Sequence, residues 1–102
     1  MTREMTLAID CGGGGIKGSV VDERGTMMAP PRRVPTPYPL PPELLVETVI
    51  GLARELPAAT RVTMGMPGMI RHGVVIATPH YITRDGPRSR VLPELVERWD
   101  HF

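Results

Sequence analysis

The sequence predicts an α/β fold with a mixed sheet: three strands, one helix and a return strand in the order βββαβ, then a β-hairpin and a terminal helix. Three observations carry this. Apolar runs at 5–9 and 16–21, and the segment after them, are joined by links too short for anything but an antiparallel meander. Leu45, Val49, Leu52 and Leu56 recur at i, i+4, i+7 and i+11, one apolar stripe of helical period. Val62, Met64 and Met66 then alternate with the period of a strand. A meander that passes through a helix and returns gives a mixed sheet with the helix packed on it.

Each element follows in order. Residues 5–9, Met-Thr-Leu-Ala-Ile, are an apolar run expected as a mostly buried strand, and 16–21 form the second. Glu23-Arg24-Gly25-Thr26 is a turn, and a third strand falls within 27–34, interrupted by Pro30-Pro31. The proline-dense stretch 35–42 reads as an extended connector rather than a polyproline ligand, because it leads straight into a helix with proline in its first turn. That helix spans 43–56, and Pro57 stops it. Residues 61–66 are a strand closed by Pro67-Gly68. Met69-Ile70 and Val74-Val75-Ile76 flank Arg71-His72-Gly73 as a short hairpin. Residues 81–90 read as a polar loop carrying Arg84, Arg88 and Arg90; 93–99 read as a helix with Leu92, Leu95, Val96 and Trp99 on one side.

Composition narrows the function classes. A chain of 102 residues is one domain at most, near the low end for a self-sufficient core. Twelve basic against 11 acidic residues leave a net charge of +1, so no strong field favours nucleic acid or an anionic membrane. The aromatic content of 4% argues against a base-stacking platform. No apolar stretch approaches the ~20 residues that span a bilayer, and Met1-Thr2-Arg3-Glu4 does not read as a signal peptide. Cys11 is the one cysteine, which fits a reducing cytoplasm and a small side chain packed beside a turn.

The chemistry concentrates in Ile9-Asp10-Cys11-Gly12-Gly13-Gly14-Gly15-Ile16-Lys17-Gly18. An acid ends an apolar strand, four glycines follow, and a second strand begins at once. Glycine lacks Cβ, so it reaches positive φ and lets another group touch the backbone. Successive exposed N–H groups in such a bend attract anions. A carboxylate beside a phosphate is repulsive unless a cation bridges them, so Asp10 points to Mg²⁺, and Lys17 adds a positive charge. The segment contains G-x-G-x-x-G as Gly13, Gly15 and Gly18, but a dinucleotide fold needs a helix there, and Ser19-Val20-Val21 reads as strand. A P-loop needs Ser or Thr after the lysine, and Gly18 stands there. What remains is a β-hairpin that grips phosphate, with the bland alternative of a mobile tip.

These residues, with Asp22 and Gly25, resemble the first phosphate motif of the ROK family of bacterial sugar kinases, within the actin/hexokinase superfamily. Gly65-Met66-Pro67-Gly68-Met69, with Gly73 beyond, resembles the family's second signature. The wording of the first motif is similar to the polyphosphate glucokinase branch. The resemblance covers essentially the whole chain and implies a ribonuclease-H-like, actin-like ATPase N-terminal lobe over 1–102, without the second lobe. It implies that Asp10 sits near the metal, that Gly12, Gly13, Gly14 and Gly15 approach the phosphates of ATP or polyphosphate, that Lys17 neutralises them, and that Pro67 and Gly68 shape the sugar side.

Three departures accompany it. Gly14 stands where the family usually has Thr. His80, seven residues after Gly73, stands where the family has a sugar-binding asparagine, and no asparagine or glutamine occurs anywhere. The family's catalytic aspartate falls beyond Phe102, so no catalytic base is expected within the chain, and the chain alone is expected not to turn over substrate. The end at Leu95, Val96 and Trp99 is expected to lack a covering partner, which favours self-association such as a homodimer. Arg84, Arg88 and Arg90 read either as a polyanion contact or as a solvated loop. The leading function is thus part of a cytoplasmic glucokinase-like hexose kinase. The alternatives are a sugar-responsive transcription regulator of the same family, or a non-catalytic sugar- or phosphate-binding module.

Overall fold

The structure, a computed structural model, describes residues 4–102; Met1-Thr2-Arg3, read above for the lack of a signal peptide, lie outside the described residues. The elements run β1 (Thr6–Cys11), β2 (Gly15–Val21), β3 (Arg32–Pro35), α1 (Pro42–Arg54), β4 (Arg61–Gly65), β5 (Met69–Arg71), β6 (Val74–Ala77) and α2 (Pro93–Trp99). A four-stranded sheet has the order β3-β2-β1-β4, and β5 pairs with β6 separately. β1 is antiparallel to β2 and β2 to β3, whereas β4 lies parallel to β1 after the crossover through α1. The mixed βββαβ sheet read from the sequence is the one observed.

Leu7, Ile9 and Cys11 of β1 and Ile16 and Val20 of β2 point to one face and are buried. Leu45, Leu52 and Leu56 cover that face, with Val49 partly buried beside them, so the helical stripe is the packing surface. A Cβ on Gly18 would come within 3.2 Å of Ile9 and Leu56 side-chain carbons and 3.7 Å of the Leu52 Cβ, which shows how closely α1 and the residues just after it sit on β2. Pro42 occupies the first turn of α1, with Glu43 near its N-terminus and Arg54 in its last turn. The helix stops before Leu56 because a residue preceding proline is driven out of the α region. β3 is shorter than the 27–34 expected: Pro30 and Pro31 lack donors for a ladder, so only Arg32–Pro35 pairs, while Met27 makes an isolated bridge to Val21. In the β5–β6 turn, His72 (φ 51°) and Gly73 (φ 76°) are both left-handed, as a tight two-residue hairpin requires.

The connector 35–42 leads into α1 as expected and buries Thr36 and Leu40 on the way. Two expectations are corrected. The loop 81–90 is not polar throughout, since Tyr81 and Thr83 are buried. The C-terminal helix does not lack a cover either. Leu95 and Trp99 are buried, and Trp99 Nε1 donates to the Leu40 carbonyl at 2.8 Å; of that group only Val96 is exposed. All four aromatic residues of the sequence stand in one row, with ring centroids 6.4 Å apart for Tyr38–Tyr81 and 5.6 Å for both Tyr81–Trp99 and Trp99–Phe102. The uncovered apolar surface lies elsewhere. Val62 and Met64 of β4 register with Leu7 and Ile9, yet stay 58% and 45% exposed, because α1 packs over β2 and does not reach the β4 edge. No described helix is long and apolar enough to cross a membrane.

Candidate functional site

Parallel β1 and β4 end side by side, and the candidate residues gather beyond their carboxyl ends, where open α/β sheets place ligands. Asp10 is exposed near the end of β1. Across the ladder it faces Gly65 on one side and Lys17 on the other. A Cβ on Gly65 would lie 3.8 Å from the Asp10 carboxylate, so the second glycine-rich segment starts against the acid. Pro67 and Gly68 follow at once. Gly68 has φ 135°, a Cβ there would run into the Ala77 carbonyl, and Thr78 Oγ1 donates to the Pro67 carbonyl at 2.9 Å.

The glycine bend closes with the Gly12 N–H donating to the Gly15 carbonyl at 2.9 Å. None of Gly12 to Gly15 has a left-handed φ; such values occur instead at Gly25, Gly68, Gly73 and Gly86. Glycine is required here for space. A Cβ on Gly12 would sit 2.9 Å from the Gly15 carbonyl oxygen, one on Gly13 would strike the His80 imidazole and Pro87, and one on Gly15 would strike the Arg33 guanidinium. Gly14 is the exception: it is exposed, with nothing within 4 Å of its Cβ direction.

The carbonyls of the bend are turned inward and held. Gly12 O accepts from Thr36 Oγ1 at 2.9 Å and from the Tyr81 hydroxyl at 3.0 Å. Gly13 O accepts from the Tyr38 hydroxyl at 2.6 Å, and Gly14 O from the Thr36 N–H at 3.3 Å. No backbone carbonyl among the described residues takes the N–H of Gly13 or Gly14. Fixing peptide oxygens on one side leaves peptide hydrogens for an anion on the other.

Sequence reading missed these props. Tyr38 and Thr36 were hidden in a stretch dominated by prolines, and Tyr81 at the start of a polar one. Their signal is a hydroxyl on an otherwise apolar residue, which has no period or spacing to betray it. The cost of burial appears in their acidity. Burial raises the Tyr81 hydroxyl above its ordinary value, with the neighbouring Cys11, Tyr38 and Asp10 charges adding to it, and burial raises Tyr38 as well. Burial, and after it the Asp10 charge, pushes the Cys11 thiol up from 9.0 to about 11. Cys11 is therefore a neutral, buried packing group, as expected from the sequence.

A protein-family model for the ROK family matches residues 6–97. The chain belongs to the ROK family. A ROK glucokinase from Streptomyces griseus, solved with glucose and AMPPNP, superposes with a TM-score of 0.67 at 26% identity over 81% of this chain and 27% of its own. A provisionally assigned sugar kinase from Cytophaga hutchinsonii superposes with a TM-score of 0.58, again at 26% identity, over 91% of this chain and 31% of its own. The chain thus spans less than a third of the length of these two relatives, and its fold is that of a ROK sugar-kinase N-terminal lobe of the actin-like type. No curated protein matches it.

Within the ROK lobe, the structure brings Asp10, Gly12 to Gly15, Lys17 and the Pro67-Gly68 turn to one end of the sheet. It sets His80 against Gly13, on the glycine bend itself, with Nδ1 buried and without a hydrogen-bond partner. Arg84, Arg88 and Arg90 have exposed side chains on a loop whose Pro87 touches the bend. Mg²⁺ keeps several waters and takes one or two carboxylates together with substrate phosphates. One exposed carboxylate at Asp10 fits that habit, and no group of three or more His, Cys, Asp or Glu among the described residues could cage a metal.

Proposed function

We propose that this chain is the phosphate-donor lobe of a glucokinase-like ROK kinase that moves a phosphoryl group from ATP or polyphosphate to a hexose hydroxyl. The observation that carries the reading is the glycine bend: carbonyls pinned inward by Thr36, Tyr38 and Tyr81, the Gly13 and Gly14 N–H groups left without backbone acceptors, and Asp10 and Lys17 at its base. Preformed donors of this kind stabilise charge spreading over a transferring phosphoryl group without reorganising. Asp10 would hold Mg²⁺, through water, and the ion would neutralise charge on the phosphates. Pro67 and Gly68, pinned by Thr78, face the sugar side, and His80 is available to a hydroxyl or a phosphate. The AMPPNP and glucose held by the Streptomyces griseus relative support ATP and a hexose as substrates.

The decisive experiment is a ¹⁵N amide titration of the chain with magnesium AMPPNP and, separately, with magnesium tripolyphosphate. Shifts centred on Gly13, Gly14 and Gly15 are expected. Silence of these amides towards both ligands overturns the reading.

A further inference from the structure

Strand register aligns Arg33, Lys17, Asp10 and Gly65 in one row across all four strands of the sheet. Residues directly opposite in such a ladder hold their Cβ atoms about 5 Å apart, and like charges placed so are destabilising. Arg33 and Lys17 are opposed in this way, both are exposed, and neither makes an ion pair among the described residues. The neighbouring Arg32 does find a carboxylate, at Glu55. The Arg33 guanidinium lies over Gly15, filling the space a Cβ would take. Two cations without an ion pair, only one of them opposite a carboxylate, therefore sit at one flank of a bend whose Gly13 and Gly14 N–H groups have no backbone acceptor.

Resting on the phosphate reading of that bend, we propose that Arg33 is a donor-binding residue: with Lys17 it grips the phosphoanhydride chain of the donor. The planar guanidinium is always charged and presents a fork of donors suited to phosphate oxygens. Bound phosphate would also remove the Arg33–Lys17 repulsion, which has no other relief in the row except Asp10 beyond Lys17. The same chemistry serves a nucleoside triphosphate and an inorganic polyphosphate, and the two arms of the test separate them.

The chain is labelled with ¹⁵N and titrated with magnesium AMPPNP and with magnesium tripolyphosphate, as wild type, Arg33→Gln and Arg54→Gln. Arg54 lies in the last turn of α1, so its loss makes the same change in net charge away from the bend. Arg33→Gln is expected to weaken whichever ligand the wild type binds by about fivefold or more, while Arg54→Gln stays within about twofold. A loss for tripolyphosphate alone supports an inorganic chain; equal losses support the triphosphate moiety in general. Unchanged affinity in Arg33→Gln, or an equal loss in Arg54→Gln, overturns the role of Arg33 and leaves the glycine-bend reading standing. A wild type whose bend amides respond to neither ligand overturns both.

Discussion

The hydroxyl of Tyr81 donates to the carbonyl oxygen of Gly12 at 3.0 Å, across 69 positions of sequence. Through that bond the aromatic row ending at Trp99 and Phe102 braces the glycine bend. Replacing Tyr81 by Phe keeps the ring and removes the donor. The expected cost is about 1 kcal/mol of stability, since Thr36 still serves the same carbonyl. Urea unfolding measures it, and amide shifts at Gly12 to Gly15 should accompany it. An unmoved midpoint with unmoved amides would show that the bond does not brace the bend.

Gly12 and Gly14 should respond oppositely to a side chain. At Gly12 a Cβ meets the Gly15 carbonyl at 2.9 Å, a backbone atom that cannot swing aside. Gly12→Ala is therefore expected to cost roughly 1–3 kcal/mol, as overpacking does. Gly14 opens to solvent, so Gly14→Ala should change stability by no more than about 0.5 kcal/mol. Gly14→Thr should fold equally well and tighten AMPPNP binding by supplying a hydroxyl. Thermal melts of the three variants check the order, and a destabilised Gly14→Ala would refute the geometric account.

The protein should lose stability in alkali. In the fold the Cys11 thiol keeps its proton up to about 11, whereas in the unfolded chain it ionises near its ordinary 9.0. Between those values the unfolded state binds fewer protons, so stability falls as pH rises through the window and levels off above it. The raised hydroxyls of Tyr38 and Tyr81 extend the fall upward from their ordinary 10.0. Cys11→Ala should delay its onset from about pH 9 to about pH 10. Urea midpoints at half-unit steps would test this; identical profiles for both proteins would disprove it.

Removing the Trp99 ring should be among the costliest single changes. Its ring is 2% exposed, touches Tyr81 and Phe102, and its N–H satisfies the Leu40 carbonyl. Trp99→Ala is expected to cost roughly 3–5 kcal/mol. Near-UV circular dichroism and urea unfolding read the loss; a change below about 1 kcal/mol would contradict the packing described.

Self-association, expected from the sequence at the C-terminal helix, should instead trace to β4. Val62 and Met64 are exposed on a sheet edge, the kind of surface that pairs with another chain. Val62→Lys with Met64→Lys should shift sedimentation at high concentration towards monomer. Val96→Lys, on α2, should not; the reverse result would return the surface to α2.

By itself the sequence determined the strand and helix order, the mixed sheet, and the glycine bend flanked by Asp10 and Lys17. These are local facts: apolar period sets the element, proline and glycine set its ends, and four glycines between two apolar runs mark a tight bend within ten residues. The helix stripe of Leu45, Leu52 and Leu56 was legible because one face of a helix must be buried. Tertiary structure alone decided what holds the bend. Thr36, Tyr38 and Tyr81 reach it from distant segments through hydroxyls that no periodicity records. It also decided that Arg33 lies over Gly15 and His80 against Gly13, because pairing register and loop path bring those side chains to a backbone that lacks any of its own. Finally, it decided which apolar residues stay uncovered, since whether Val62 or Trp99 is buried depends on where α1 and the loop before α2 come to rest, not on either residue's own hydrophobicity.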